Sequence, residues 1–377
     1  MSAAAATDPL VQAFPGILGE QLFASFDRAD YRIKAEEYLR GLLGTAGRKS
    51  ISNIARTLGD PGAVQRLHHF IRNSPWAWAP VREALAARLV EACTPRAWLV
   101  RPMFIPKSGT RTVGVGRRFV PELGQLAGAQ QAVGLWYLAP RLNAPVDWQL
   151  QLTDPPHRAL RPEPPGPHGH RGQHRGPGPA GDSLERQAAL LGPLADRLPA
   201  TAAATLIWDG CPAEPGGLFA TGRELGLRVA VRVDPTTRLT PVTAPTRDRG
   251  RALPAYQLFA SAGARRLAAA SGPPGVEAHV VRVALPGTPA ELLLYAESGA
   301  RPTAFSGFWL TDSEPDRAAE FPRLFRMAGG VEEDRTALGE RVGLRDFEGR
   351  SFEGWHRHMT LASAAYAAVA LGRHFSC

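Results

Sequence analysis

The side chains of this chain that could do chemistry are mostly cations. Its 377 residues hold 44 Lys and Arg against 35 Asp and Glu, a formal charge of +9, with a pI near 10.1. Most of the cations are Arg, whose planar fork suits bidentate contact with phosphate. The balance favours a polyanionic partner, although an Arg-rich composition also arises without one. Residues 101–118 carry Arg101, Lys107, Arg111, Arg117 and Arg118 and no acid; Arg48 and Lys49 form a second group near Arg66 and Arg72; Arg350, Trp355, His356, Arg357 and His358 form a third. Phosphate contacts from such groups position a duplex; the competing reading of each is a solvated charged face. His356 and His358 read either as metal ligands or as capping and core-edge residues. Cys93, Cys211 and Cys377 stand far apart with no CxxC pair, which argues against a disulfide framework or a structural zinc and fits a reducing cytoplasm.

Two kinds of structure must hold these groups. Residues 17–46 read as helix, with Leu18, Leu22, Phe23 and Phe26 on one face and Tyr38, Leu39, Leu42 and Leu43 continuing the stripe. Ser50 or Ser52 can cap a short helix of Ile51, Ile54 and Leu58 that Gly59 ends. Asp60-Pro61 can start a second helix burying Val64, Leu67 and Ile71. This pair is either a helix-turn-helix or an ordinary bundle corner. One more helix covers 80–93. From Ala97 the texture is that of strands: AWLV up to Arg101-Pro102, then RTVGVGRRFV and AQQAVGLWYLA, which suggest an antiparallel meander. ATLIWDG and LRVAVRVD bracket a helix near 215–226, a β-α-β unit. FSGFWLTD is strand-like. PRLFRMAGGVEEDRTALGERVGL is helical apart from Gly329-Gly330, and a strongly apolar helix ends the chain.

The expected fold class is α/β, a ribonuclease H-like mixed sheet with flanking helices over 96–377, preceded by an N-terminal all-α domain over 1–95. Irregular insertions are expected at 155–181 and 236–275. The first holds 8 Pro, 6 Gly, 4 His and 4 Arg in 27 residues, too many Pro and Gly to pack. It is a basic DNA-touching loop, a weak metal-binding tract or simply a flexible insertion. With 44% apolar residues, including 8 Trp and 15 Phe, the chain can bury a sizeable core. The first residues lack a basic leader and no long apolar run occurs, so neither secretion nor a membrane span is expected.

Three separated blocks, in order, resemble the DDE transposases of insertion sequence family 701: SPWAWAPVREAL with the preceding RLHHFI, FIPKSGTRTVGVGRRFVPELGQLAGAQQAVGL, and GVEEDRTALGERVGLRDFEGRSFEGWHRHMTLASAAYA. The likeness spans about residues 23–373. It implies two divalent metals held between three carboxylates, one activating the nucleophile and the other stabilising the leaving oxygen. The second ligand falls on Asp209 in LIWDG and the third on Glu332 in GVEED, with Glu333 and Asp334 adjacent. Where the family has an Asp-Asp-Thr-Gly-like stretch, this chain has Arg101-Pro102-Met103-Phe104. A guanidinium there would oppose a metal and pair with Asp209 or Glu332, bridging the ancestral site. Asp147 and Asp154, the candidates for rescue, lie beyond the third strand. Gly329-Gly330 replaces a continuing helix and would loosen the segment holding Glu332, and LIWDGCPAEPGG lacks the Tyr of the family's turn.

The resemblance therefore implies a partner, double-stranded DNA, and a homodimer or higher homo-oligomer associated with the nucleoid. Its implied DNA contacts are Arg48, Lys49, Lys107, Arg111, Arg117, Arg118, Arg350, Trp355 and Arg357. No cofactor is expected, and Mg only where Asp209 and Glu332 still bind it. The leading reading is a transposase-like DNA-binding regulator that no longer cuts. Its rivals are an active transposase with an unusual metal set, and a cleft turned over to a small molecule or protein partner.

Overall fold

The computed structural model describes residues 9–152, 205–212, 214–242, 250–261, 264–267, 276–288, 290–299 and 305–375. The insertion expected at 155–181, and Asp154, lie outside them. Helices α1 (Pro9–Leu18), α2 (Ala29–Gly44), α3 (Ile51–Leu58), α4 (Ala63–Arg72) and α5 (Trp78–Ala92) come first. The single helix expected over 17–46 is thus two, separated by a 3-10 turn at Glu20–Phe23. Gly19 breaks it at φ 80°, in the left-handed region that a side chain disfavours. The α3 cap is as expected: Asn53 N donates to Ser50 Oγ at 3.2 Å, and Gly59 closes the helix at φ 70°. Gly41 of α2 lets Ile54 lie against its backbone, since a Cβ there would collide with that side chain. Helix α4 starts at Ala63, two residues later than Pro61 suggests, and Asp60 instead accepts a bond from Gly62 N at 2.8 Å. Leu67 and Ile71 are buried, but Val64, in the first turn of the helix, is exposed.

The strands are β1 (Ala97–Pro106), β2 (Val115–Val120), β3 (Gln125–Ala139), β4 (Leu142–Gln151), β5 (Thr205–Trp208) and β6 (Val229–Arg232), with α6 (Gly216–Glu224) between the last two. Their spatial order is β2-β3-β1-β5-β6, with β4 also on β3. The 15-residue β3 pairs with β2 through Gln125–Gln130 and with β4 through Gln131–Ala139. β1, β5 and β6 are mutually parallel. This is the ribonuclease H-like arrangement, and the fold is α/β as expected, but the simple meander is corrected. The central β3 separates β1 from β2, and β4 is an additional strand. Its sequence, LNAPVDWQLQ, hides it, because Pro145 and Asp147 read as turn residues. A register shift between Leu135 and Trp136 accommodates Pro145 there.

The sheet then continues through an antiparallel extension of β12 (Phe305–Thr311), β11 (Glu291–Ser298), β10 (Glu277–Ala284), β7 (Arg238–Pro241) and β8 (Leu253–Pro254), with β9 (Arg265–Leu267) on β10. The stretch 236–275 is therefore partly regular, supplying β7, β8, α7 (Ala255–Ser261) and β9. Two long helices finish the chain, α8 (Phe321–Val342) and α9 (Phe352–Phe375). α8 runs unbroken through Gly329-Gly330, contrary to expectation. Its buried stripe of Phe321, Leu324, Phe325, Ala328, Val331, Leu338 and Val342 outweighs a propensity cost of about 1 kcal/mol per glycine.

α9 is the hub. It is buried from Gly354 to Leu371 and packs on β4 on one side and on α1, α2, α4 and α5 on the other. Its polar residues bind these neighbours. Arg82 of α5 donates to Thr360 Oγ1 at 2.8 Å, to Trp148 O at 2.9 Å and to His356 O at 3.1 Å, and pairs with Asp147. Arg357 reaches the last carbonyls of α4, Ile71 O at 3.2 Å and Arg72 O at 3.3 Å. His358 donates from Nε2 to Gly343 O at 2.9 Å, which leaves Nδ1 to accept from the Tyr38 hydroxyl at 2.9 Å. Burial holds the His358 imidazole neutral, with its pKa lowered to about 4.

Two predictions follow from this packing. A Cβ at Gly329 or Gly330 meets nothing within 4 Å, so Gly329→Ala and Gly330→Ala should each raise unfolding free energy by about 0.5–1 kcal/mol; a loss in chemical denaturation would contradict the helix as drawn. His358 has a folded pKa below its unfolded value. Its contribution is therefore complete above pH 6.5 and lost as pH falls towards 4. Urea denaturation at pH 5 should show about 2 kcal/mol less stability than at pH 7 from this group. His358→Gln should flatten that part of the profile.

Candidate functional site

The ends of parallel neighbours bring the singled-out residues together. Val100 of β1 pairs with Trp208 of β5, and Asp209 N donates to Val100 O at 2.9 Å. Arg101 and Asp209, the next residue along from each, therefore lie side by side. α8 crosses them and presents the carbonyl of Ala328 and, one turn on, Glu332. The Arg101 guanidinium fills the space between. Nε donates to Asp209 Oδ2 at 2.8 Å, Nη2 to the same oxygen and to Ala328 O at 3.1 Å, and Nη1 to Glu332 Oε2 at 3.2 Å. Arg101 is 8% exposed and Asp209 9%, so little water competes for their pairing, whereas the Glu332 side chain is 46% exposed.

Two further arginines complete the cluster. Arg232, at the end of β6, places Nε 2.7 Å from Asp209 Oδ1 and stacks on the Trp309 ring at 4.8 Å. That contact is an ion pair and not a hydrogen bond, since Nε lacks a partner at hydrogen-bonding angles. Arg335, one turn beyond Glu332, donates from Nε to Glu332 Oε2 at 3.0 Å and also pairs through Nη2. Burial pushes the Glu332 carboxyl up, but the adjacent Arg335 and the charge of Arg101 outweigh it and hold it below the ordinary glutamate range. Glu122 lies 3.7 Å from Arg335. Neither Arg232 nor Arg335 was singled out in the sequence. Both had a signal: Arg335 follows Glu332 at the i+3 spacing that pairs on a helix, and Arg232 ends the strand beside that of Asp209.

The arrangement can be tested against the two divalent metals that the resemblance implies. A metal there needs carboxylate oxygens with open lone pairs and a surplus of negative charge. Here three guanidiniums, Arg101, Arg232 and Arg335, face Asp209, Glu332 and Glu122, which leaves no surplus. A metal about 4 Å from a guanidinium would be repelled by about 4 kcal/mol per unit charge at an effective dielectric of 20. Two of the other carboxylates are engaged elsewhere. Asp334 accepts from Asn143, which in turn accepts from the Tyr366 hydroxyl at 3.0 Å. Asp147 is buried against Arg82, which removes it as a substitute ligand. Among the described residues no three His, Cys, Asp or Glu converge as a metal site. As arranged, the residues do not fit a two-metal centre.

The basic residues separate into three groups. Arg48, Lys107 and Arg111 come together around one trough, which Arg345 also lines. Lys107 Nζ donates to Arg345 O at 2.9 Å and Phe347 O at 2.8 Å, and burial lowers its pKa to about 8. Arg117 and Arg350 are exposed elsewhere, and Arg118 is half-buried, donating to Gln131 Oε1 at 2.9 Å and Gln151 O at 3.1 Å. Lys49, Trp355 and Arg357 are buried. Lys49 donates to Thr45 O and Arg357 to the α4 carbonyls, so these side chains are engaged inside the protein. His356 and His358 are likewise core residues and have no metal-ligand geometry.

No described helix is long and apolar enough to cross a membrane. No curated protein matches the chain. A family model described as DDE superfamily endonuclease matches residues 21–270, a span that takes in Arg101 and Asp209 and ends before Glu332. Together with the ribonuclease H-like sheet and Asp209 directly after β5, this match places the chain in the DDE superfamily of endonucleases.

Proposed function

We propose that this DDE-superfamily chain is a transposase-like DNA-binding protein in which metal-dependent strand cleavage and strand transfer have been lost. The observation that carries the reading is Arg101 between Asp209 and Glu332, where two-metal chemistry needs a third carboxylate. The reading keeps the family's nucleic-acid partner, double-stranded DNA, because the net charge of +9 and the exposed Arg48 and Arg111 suit phosphate contact. A role as a regulator, descent from insertion sequence family 701, and assembly as a homodimer or higher homo-oligomer belong to the same reading.

A paired assay separates it from an active enzyme with an unusual metal set. The full chain should bind duplex DNA with an affinity that falls steeply as salt rises, and should neither nick nor join that DNA in Mg²⁺ or Mn²⁺. Cleavage that disappears in Asp209→Ala would overturn the loss of chemistry. Absence of binding at low ionic strength would overturn the DNA-binding role. Arg101→Asp should not recover cleavage on its own, because Arg232 and Arg335 still hold the two remaining carboxylates.

A further inference from the structure

The main basic trough of the described residues does not lie over the carboxylates. It has a volume of about 1160 Å³ and runs between the end of α2, the end of α3, the end of β1 and the end of α8. A second hollow of about 610 Å³ under the Lys107–Thr112 loop continues it, the two sharing Arg48, Pro106, Arg345 and Asp346. Seven Lys and Arg line the pair against three acids; Lys49 and Lys107 spend their ammonium groups on main-chain carbonyls, which leaves five arginines. Of those acids, Glu348 is tied to Arg48 in an exposed pair, and Asp346 accepts from Lys49 N at 2.7 Å. A solvent-exposed pair of this kind is weak, so a phosphate could take Arg48 from Glu348 at small cost.

The composition of the lining says what such a ligand would be. It contains no aromatic residue and no Asn or Gln. Single strands are held by stacking on aromatic rings, and adenine is read by bidentate Asn or Gln in the major groove. Beside the apolar Val11, Leu43, Leu58 and Ile105, the trough presents guanidiniums and, on its loop, the hydroxyls of Ser108, Thr110 and Thr112, donors suited to phosphate oxygens. Gly47 and Gly109 leave open space where a Cβ would stand, so phosphates can approach the main chain closely there.

We propose that this trough is the seat of duplex DNA, gripping the phosphate backbone without reading sequence, with Arg40, Arg48 and Arg111 among its contacts. The proposal rests on the DNA-binding reading above and moves the interface away from the α9 segment of Trp355 and Arg357. The three arginines are exposed, so Arg40→Gln, Arg48→Gln and Arg111→Gln can be combined with the melting temperature as a check on folding. Filter binding of two unrelated duplexes across a salt series is the measurement. The triple variant should bind both more weakly and to a similar degree, and its log–log salt slope should fall by about 2.7, or about 0.9 per lost contact. A control triple, Arg265→Gln, Arg266→Gln and Arg282→Gln, lies on β9 and β10, five strands from β1, or about 24 Å at about 4.8 Å per strand. It should bind like wild type. If wild type binds and the trough variant binds equally well, or if the control loses as much, the seat is wrong and the DNA-binding reading stands. Unequal loss on the two duplexes overturns the sequence-independent grip. Failure of wild type to bind either duplex overturns the DNA-binding reading, and the seat with it.

Discussion

A buried guanidinium has to be paired, and this constraint organises the centre of the molecule. Arg101 sits under α8 with its donors directed at Asp209, Glu332 and the carbonyl of Ala328. Removing one partner from such a pair costs about 3–5 kcal/mol, because the other charge is left stranded. Asp209 therefore has a structural reason to persist whether or not a metal visits it, and the half-exposed Glu332 has a weaker one. Their presence alone is weak evidence for cleavage. The identity of the third position, and of the cations around all three, carries the chemical information.

The same logic recurs beneath the helical region. Arg82 and Asp147 are both buried and face each other where α5, α9 and β4 meet. His358 is held neutral between Tyr38 and Gly343. α9 thereby ties the N-terminal helices to the sheet, and the hydrophobic core runs continuously through both. The W-H-x-H run that suggested a functional surface is instead the seam along which these two layers are joined.

Charge is consequently divided between two jobs. Arg82, Arg101, Arg335 and Arg357 are buried and satisfy internal acceptors. Arg40, Arg48 and Arg111 remain at the surface around the trough that opens beside β1. Net charge by itself could not separate these sets, since a guanidinium counts the same in either place.

The α/β order was legible in the amino acids because local patterns fix it: apolar runs at Ala97 and Thr205, the β-α-β unit around α6, and the Ser50 and Gly59 caps. The absence of an acid at residue 101 was equally plain, as a residue type needs no structure to be read. What remained hidden depended on distance in space. β4 was missed because its Pro145 and Asp147 make sense only against β3 and Arg82. α8 continues through two glycines because a buried stripe overrides local propensity. Arg232 and Arg335 joined the cluster only once β6 was laid beside β5 and α8 was wound above them. Sequence thus determined that a cation stands where a ligand was expected. Tertiary structure decided which carboxylates it binds, which other cations crowd them, and which of the remaining arginines still face solvent, because burial and pairing are properties of neighbours that the chain brings together only on folding.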